Sequence, residues 1–237
     1  MAEQKTFIPL ENNPDVMTKL AHQLGLSPDL QFHDVYSLTD PDLLALIPRP
    51  AHALLFIYPC TAEAEQYYDE ENAREADYDG TGAEPVLFYH QKITHACGLI
   101  GLLHCTTNGY ARSQILPDSH LDKLMKDVAP LKPQPRARFL HDSDVLDAAH
   151  DAAAHTGDTE APPRGQCPPQ AFIAFVKGTD GHLYELEGRR KGPVDRGQLP
   201  DDADVLSTQA LEAGPLAFIK REDERGGNLM FSCTVLA

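Results

Sequence analysis

The stretch QKITHACGLIGLLH, residues 91–104, decides how the rest of the chain is read. A glutamine stands six residues before a cysteine, and beyond that cysteine Leu99, Ile100, Leu102 and Leu103 make the segment apolar nearly all round. A helix of that kind belongs inside a protein. Cys97 would open this helix, and a sulfur in a first helical turn feels the positive end of the backbone dipole, which favours thiolate over thiol. The extended residues before it can bring the Gln91 amide beside a forming oxyanion. The same spacing also fits an inert cysteine filling a gap in the core, because cysteine is among the most buried residue types. On these residues alone the inert reading has the better claim.

Working outward, NNPDVMTKLAHQLG reads as an amphipathic helix, with Asn13 as N-cap, Pro14 at the first position and Gly25 at its end. A short helix is predicted after Asp40, and a buried strand over HALLFIYP, residues 52–59. The acidic segment from Thr61 reads as a helix that gives way to a loop before Pro85. Residues 118–128 and 134–153 supply two or three further helices, and the Pro- and Gly-rich stretch AAHTGDTEAPPRGQCPPQ that follows has the length and polarity of a binding loop or lid. QAFIAFVKGTDGHLYELEG alternates on both sides of GTDG and reads as a hairpin, and GPLAFIKRE with NLMFSCTVLA as another pair of strands. Helices mostly first and antiparallel strands later predict an α+β domain around a central antiparallel sheet, one domain over residues 1–237.

Composition narrows the function classes. With 42% hydrophobic and 24% charged residues the chain is an ordinary soluble one, and runs such as LLFIY are too short to cross a bilayer. The N-terminus lacks the basic start and apolar stretch of a secretory signal, so a cytoplasmic location is expected. Five cysteines, at 60, 97, 105, 167 and 233, are odd in number and scattered, which suits a reducing compartment. The eleven histidines form no metal-binding motif, so neither metal nor cofactor is expected. A net charge of −16 disfavours nucleic acid and would welcome a basic partner, although solubility alone accounts for it.

Several motifs in order along the whole chain resemble the ubiquitin C-terminal hydrolases, short papain-like cysteine deubiquitinases: FIPLENNP at 7–14, FHDVYSL at 32–38, IPRP at 47–50, QKITHACGLIGLLH at 91–104, GDTEAP at 157–162 and DGHLYELEGR at 180–189. The resemblance implies a papain-like sheet flanked by helices with a knotted backbone. It implies Cys97 as nucleophile and Gln91 as oxyanion donor, with Pro9 and Leu10 and the motif residues Gly157, Asp158, Thr159 and Glu160 as candidates for substrate contact. A crossover loop over about residues 154–169 would admit only small or unstructured groups joined to the C-terminal glycine of ubiquitin. The implied partner is ubiquitin or a ubiquitin-like modifier, met by a monomer with no part for membrane or nucleic acid, and the reaction would pass through a thioester acyl-enzyme.

The pattern breaks at the base. Counting forward from GDTEAP, the family's general-base histidine falls on Ala171, and its neighbours Gln170 and Phe172 are not histidines either. The orienting aspartate falls on Glu187, and the asparagine two before the nucleophile is His95. With a turn centred near Thr179, residues 171 and 187 would face each other across the hairpin. An alanine cannot take the thiol proton or protonate the leaving amine, so this chain is expected to be strongly impaired, on the order of 10³-fold or more. An alanine here fits either a substitution made to trap a complex, which the otherwise well-kept site favours, or a natural relative that binds without cutting. His90, His95, His104 and His182 are not expected to replace the missing base.

Overall fold

All seven residues of the strand Ala53–Pro59 (β2) are buried, which requires cover on both faces. The computed structural model, which describes residues 5–80, 84–160, 162 and 170–237, supplies it with a helical layer on each side of a six-stranded sheet. The strands are β1 (Phe32–Asp34), β2, β3 (Gln170–Lys177), β4 (His182–Leu186), β5 (Val194–Gln198) and β6 (Ser232–Leu236). They run in the order β1-β6-β2-β3-β4-β5, antiparallel at every pairing. The helices are α1 (Pro14–Leu24), α2 (Pro41–Leu44), α3 (Ala62–Arg74), α4 (Cys97–Thr106), α5 (His120–Val128), α6 (Pro133–His141), α7 (Asp144–Ala154), α8 (Thr208–Ala213) and α9 (Pro215–Glu224).

Strand alternation divides the core in two. Leu55 and Ile57 of β2, with Phe172, Ala174 and Val176 of β3, pack against α1, α4, α5 and α7. Leu54, Phe56 and Tyr58, with Ala171, Ile173 and Phe175, pack against α3, α8 and α9. Asn13 caps α1 as expected, its Oδ1 accepting from the N–H groups of Asp15 at 2.9 Å and Val16 at 3.4 Å, and Gly25 closes the helix at φ 111°.

The predicted α+β architecture is the one found, with two corrections. The segment GPLAFIKRE forms helix α9 rather than a strand. Its buried residues Pro215, Phe218 and Glu222 recur at helical spacing, Pro215 opens it, and the polar Glu222 in an interior position hid the period. The β3–β4 hairpin pairs Ala174 with Leu186, two residues away from the predicted register, because Gly178–Gly181 make the turn and Gly181 takes φ 84°. A slip of two keeps each side chain on its face. Ala171 and Glu187 therefore remain in one layer, although they are not direct partners.

Candidate active site

The path to Cys97 is pinned before the helix begins. Phe7 N–H donates to the Thr94 carbonyl at 2.9 Å, and Gln91 N–H donates to the Gly188 carbonyl at 2.8 Å. His95 adopts φ 64°, a turn that few residues other than glycine accept, and so ends the extended run and aims the chain into α4. The N-cap of α4 is Ala96, which has no side-chain oxygen to offer, so the N-cap residue does not offset the positive end of the helix where Cys97 stands. Residues Gly98–Thr106 are all buried.

Two glycines set how deeply the helix seats. A Cβ on Gly101 would come within 2.6 Å of Leu55 Cδ1, and one on Gly98 within 3.0 Å of Leu10 Cβ and 3.4 Å of Phe172 Cε2. The helix that Cys97 opens thus lies directly on β2, β3 and the N-terminal segment.

Cys97 is half-buried and opens onto a cleft of about 180 Å³. One wall is Pro9–Asn12; another is Ala153 and Ala154 of α7 with Gly157, Thr159 and Pro162; Ile57, Gln170 and Phe172 contribute from the sheet. Of the candidates for substrate contact, the structure brings Pro9, Leu10, Gly157 and Thr159 to the cleft with Cys97. Asp158 accepts from Asn13 Nδ2 at 3.0 Å, and Glu160 is exposed outside the lining. Of the crossover loop proposed over 154–169, residues 161 and 163–169, Cys167 among them, lie outside the described residues.

Gln91 lies before the cleft with its Nε2 donating to the Ile93 carbonyl at 3.1 Å, which leaves the second amide hydrogen for another acceptor. Its Oε1 is buried without a partner among the described residues. Ala171 does not face Cys97. It pairs with Tyr58 in the ladder and packs in the other core, so the β3 side chains that reach the cleft are Gln170 and Phe172. Glu187 is 1% exposed and belongs to Tyr58's surroundings as well. Its Oε1 accepts from Arg189 N–H and Nε, both at 3.1 Å, while Oε2 is buried without a partner among the described residues. Burial raises the Glu187 pKa, and the Arg189 guanidinium only partly offsets it. The two expected positions thus share a layer, but it is the one away from the thiol. Phe172 was legible from its alternation with Ala174 and Val176, had the strand been phased on the helix-facing side.

Two of the other candidate histidines are engaged elsewhere. His104 is fully buried, its Nε2 accepting from Tyr89 N–H at 3.0 Å, and burial holds its pKa down at about 3. His182 is bound to Asp195 at 2.8 Å on the surface. Among the described residues no group of histidine, cysteine and carboxylate side chains could hold a metal ion, and no helix is long and apolar enough to cross a membrane. A larger depression of about 860 Å³ lies elsewhere, but its cations serve the fold: Lys177 donates to the carbonyls of Pro200, Asp201 and Ala203, and Arg49 is held by Asp204.

The chain is similar to known proteins over most of its length. The family model described as ubiquitin carboxyl-terminal hydrolase, family 1, matches residues 7–213. Ubiquitin carboxyl-terminal hydrolase 3 of Arabidopsis thaliana is 35% identical over 220 residues, which are 90% of this chain and 91% of that one. The ubiquitin carboxyl-terminal hydrolase isozyme L1 of Monodelphis domestica is 33% identical over 229 residues, 96% of both chains. The crystal structure of the Trichinella spiralis UCH37 catalytic domain bound to ubiquitin vinyl methyl ester shares the fold, with a TM-score of 0.73 at 21% identity over 100% of this chain and 96% of that one.

Proposed function

Because this chain belongs to the ubiquitin carboxyl-terminal hydrolase family 1, we propose that its cleft receives the C-terminal tail of ubiquitin, that Cys97 is the nucleophile, and that turnover is strongly impaired for want of a general base. The observation that carries the reading is the side-chain set facing the sulfur. Cys97 opens a buried helix onto a narrow cleft, while β3 presents Gln170 and Phe172 there and no imidazole.

In the reaction this family performs, the thiolate sulfur would bond to the carbonyl carbon of ubiquitin's terminal glycine. The amine would leave with a proton, and water would then hydrolyse the thioester. Gln91 has an amide hydrogen to offer the oxyanion, and the N-terminus of α4 adds its dipole. Phenylalanine can neither accept the thiol proton nor deliver one to the leaving amine, so both proton transfers lose their agent. The narrowness of the cleft supports small or unstructured leaving groups. A ubiquitin receptor that does not cut is the second reading, favoured by the same absence of imidazole.

The test assays this chain beside Phe172→His, Gln170→His and Ala171→His, with a fluorogenic ubiquitin C-terminal amide and a ubiquitin-binding titration. The expected outcome is binding by all four and a gain of at least about 10²-fold in Cys97-dependent turnover for Phe172→His or Gln170→His, the scale of general-base catalysis. Binding without turnover in any variant would select the receptor reading, and no binding by any form would sink both. A parallel titration with a ubiquitin-like modifier separates that substrate class.

A further inference from the structure

We propose that Glu11 is a specificity-determining residue of this cleft, a latch that holds the 157–159 turn against the N-terminal segment and limits how bulky a group can reach Cys97. The inference rests on the reading that groups reach Cys97 through this cleft.

The Glu11 Oε2 accepts from Thr159 twice, from the backbone N–H at 3.0 Å and from the hydroxyl at 2.7 Å. Its Oε1 accepts from Asn13 Nδ2 at 3.3 Å, and the same Nδ2 also donates to Asp158 Oδ2 at 3.0 Å. One carboxylate thus joins two walls of the cleft that are 148 positions apart in the chain. Burial alone would raise the Glu11 pKa, but the hydrogen bonds from Thr159 and Asn13 outweigh it and keep the group an anionic acceptor.

The two sides of the latch are unequally anchored. Asn13 caps α1, and Asn12 is tied to β6, donating to Ser232 Oγ at 3.2 Å and accepting from Thr234 Oγ1 at 2.9 Å. The N-terminal wall is therefore held by a helix and by the sheet, and the turn is the side that yields when the latch opens. Gly157 permits the approach: a Cβ there would lie 2.3 Å from Glu11 Oε2. Gly157 and Thr159 both line the cleft, so releasing them widens it directly.

The experiment compares alkylation of Cys97 by N-ethylmaleimide with alkylation by a maleimide carried on a long polyethylene glycol chain, read by peptide mass spectrometry. Glu11→Ala is expected to raise the bulky-to-small rate ratio about tenfold, the factor one charge-assisted hydrogen bond commands. Gly157→Ala should do the same by forcing the turn off the carboxylate, and Thr159→Val should do less. Glu11→Ala with Thr159→Val should add nothing to Glu11→Ala alone, since the two act through one contact. Cys105, 0% exposed, reports folding in the same digest. An unchanged ratio in Glu11→Ala and Gly157→Ala, effects of Glu11→Ala and Thr159→Val that multiply, or labelling of Cys105 in step with Cys97 would each overturn the latch. Failure of the chain to bind ubiquitin would remove the functional reading and leave this ratio untouched.

Discussion

At the scale of single residues the site is governed by close approaches. Gly188 accepts the Gln91 N–H, and a Cβ at position 188 would lie 2.9 Å from both Gln91 Cβ and Ile100 Cγ2 and 3.1 Å from Gln91 N. Gly188→Ala should therefore displace the amide segment and cost about 1–3 kcal/mol, the range of an overpacked core. Urea unfolding measures the cost, and a ubiquitin-amide assay on the Phe172→His background measures the effect on Gln91. Cys97, Pro9 and Leu10 each belong to a contiguous motif, and the structure brings the three to one cleft. It does not bring Ala171 there, because a strand's two faces differ by one residue. Ala171 and Phe172 are neighbours in sequence but belong to opposite layers.

At the scale of elements, one buried cation ties three segments together. Arg136 of α6 is 0% exposed and donates to the carbonyls of Val128 at 3.2 Å, Leu131 at 2.8 Å and Phe88 at 2.9 Å. It closes the C-terminal end of α5 and fixes the segment that leads to Gln91. Arg136→Met fills similar space but removes the donor to the Phe88 and Leu131 carbonyls, while Val128 O keeps the Leu131 N–H, and should destabilise by about 3 kcal/mol on the scale of lost buried hydrogen bonds, seen as a lower denaturant midpoint at unchanged slope. The helices with a Pro at their start and an Asn or Asp cap, α1 and α2, were readable from sequence because capping is local. Strand β5 and helix α9 were not, since β5 is half-exposed VDRGQ and α9 carries its buried Glu222 among charged neighbours.

At the scale of the whole molecule, stability should fall as pH drops below neutrality. Burial lowers the pKa of His104 to about 3 and that of His150 to about 4, so each is neutral in the folded chain. The unfolded chain takes up these protons near the ordinary histidine value of 6.5. Between those values the unfolded state binds more protons, so stability rises with pH and is lost as pH falls from 6.5 towards 4. Buried Glu187, raised above the ordinary glutamate value, works in the opposite direction, and so does exposed, well-screened His182. Urea midpoints should drop by the equivalent of about 1–2 kcal/mol per histidine between pH 6.5 and pH 5, and His104→Gln should flatten that slope. Sequence by itself determined the family and the α+β class, and it singled out Cys97 as the candidate nucleophile, because these reside in motifs and in strong local periodicities. Only the tertiary structure decided which β3 side chains face the sulfur, that Glu187 is buried with Tyr58, and that Glu11 meets Thr159. Each depends on register and on contacts between distant segments, which the packing of two helical layers on one sheet selects and local patterns do not encode.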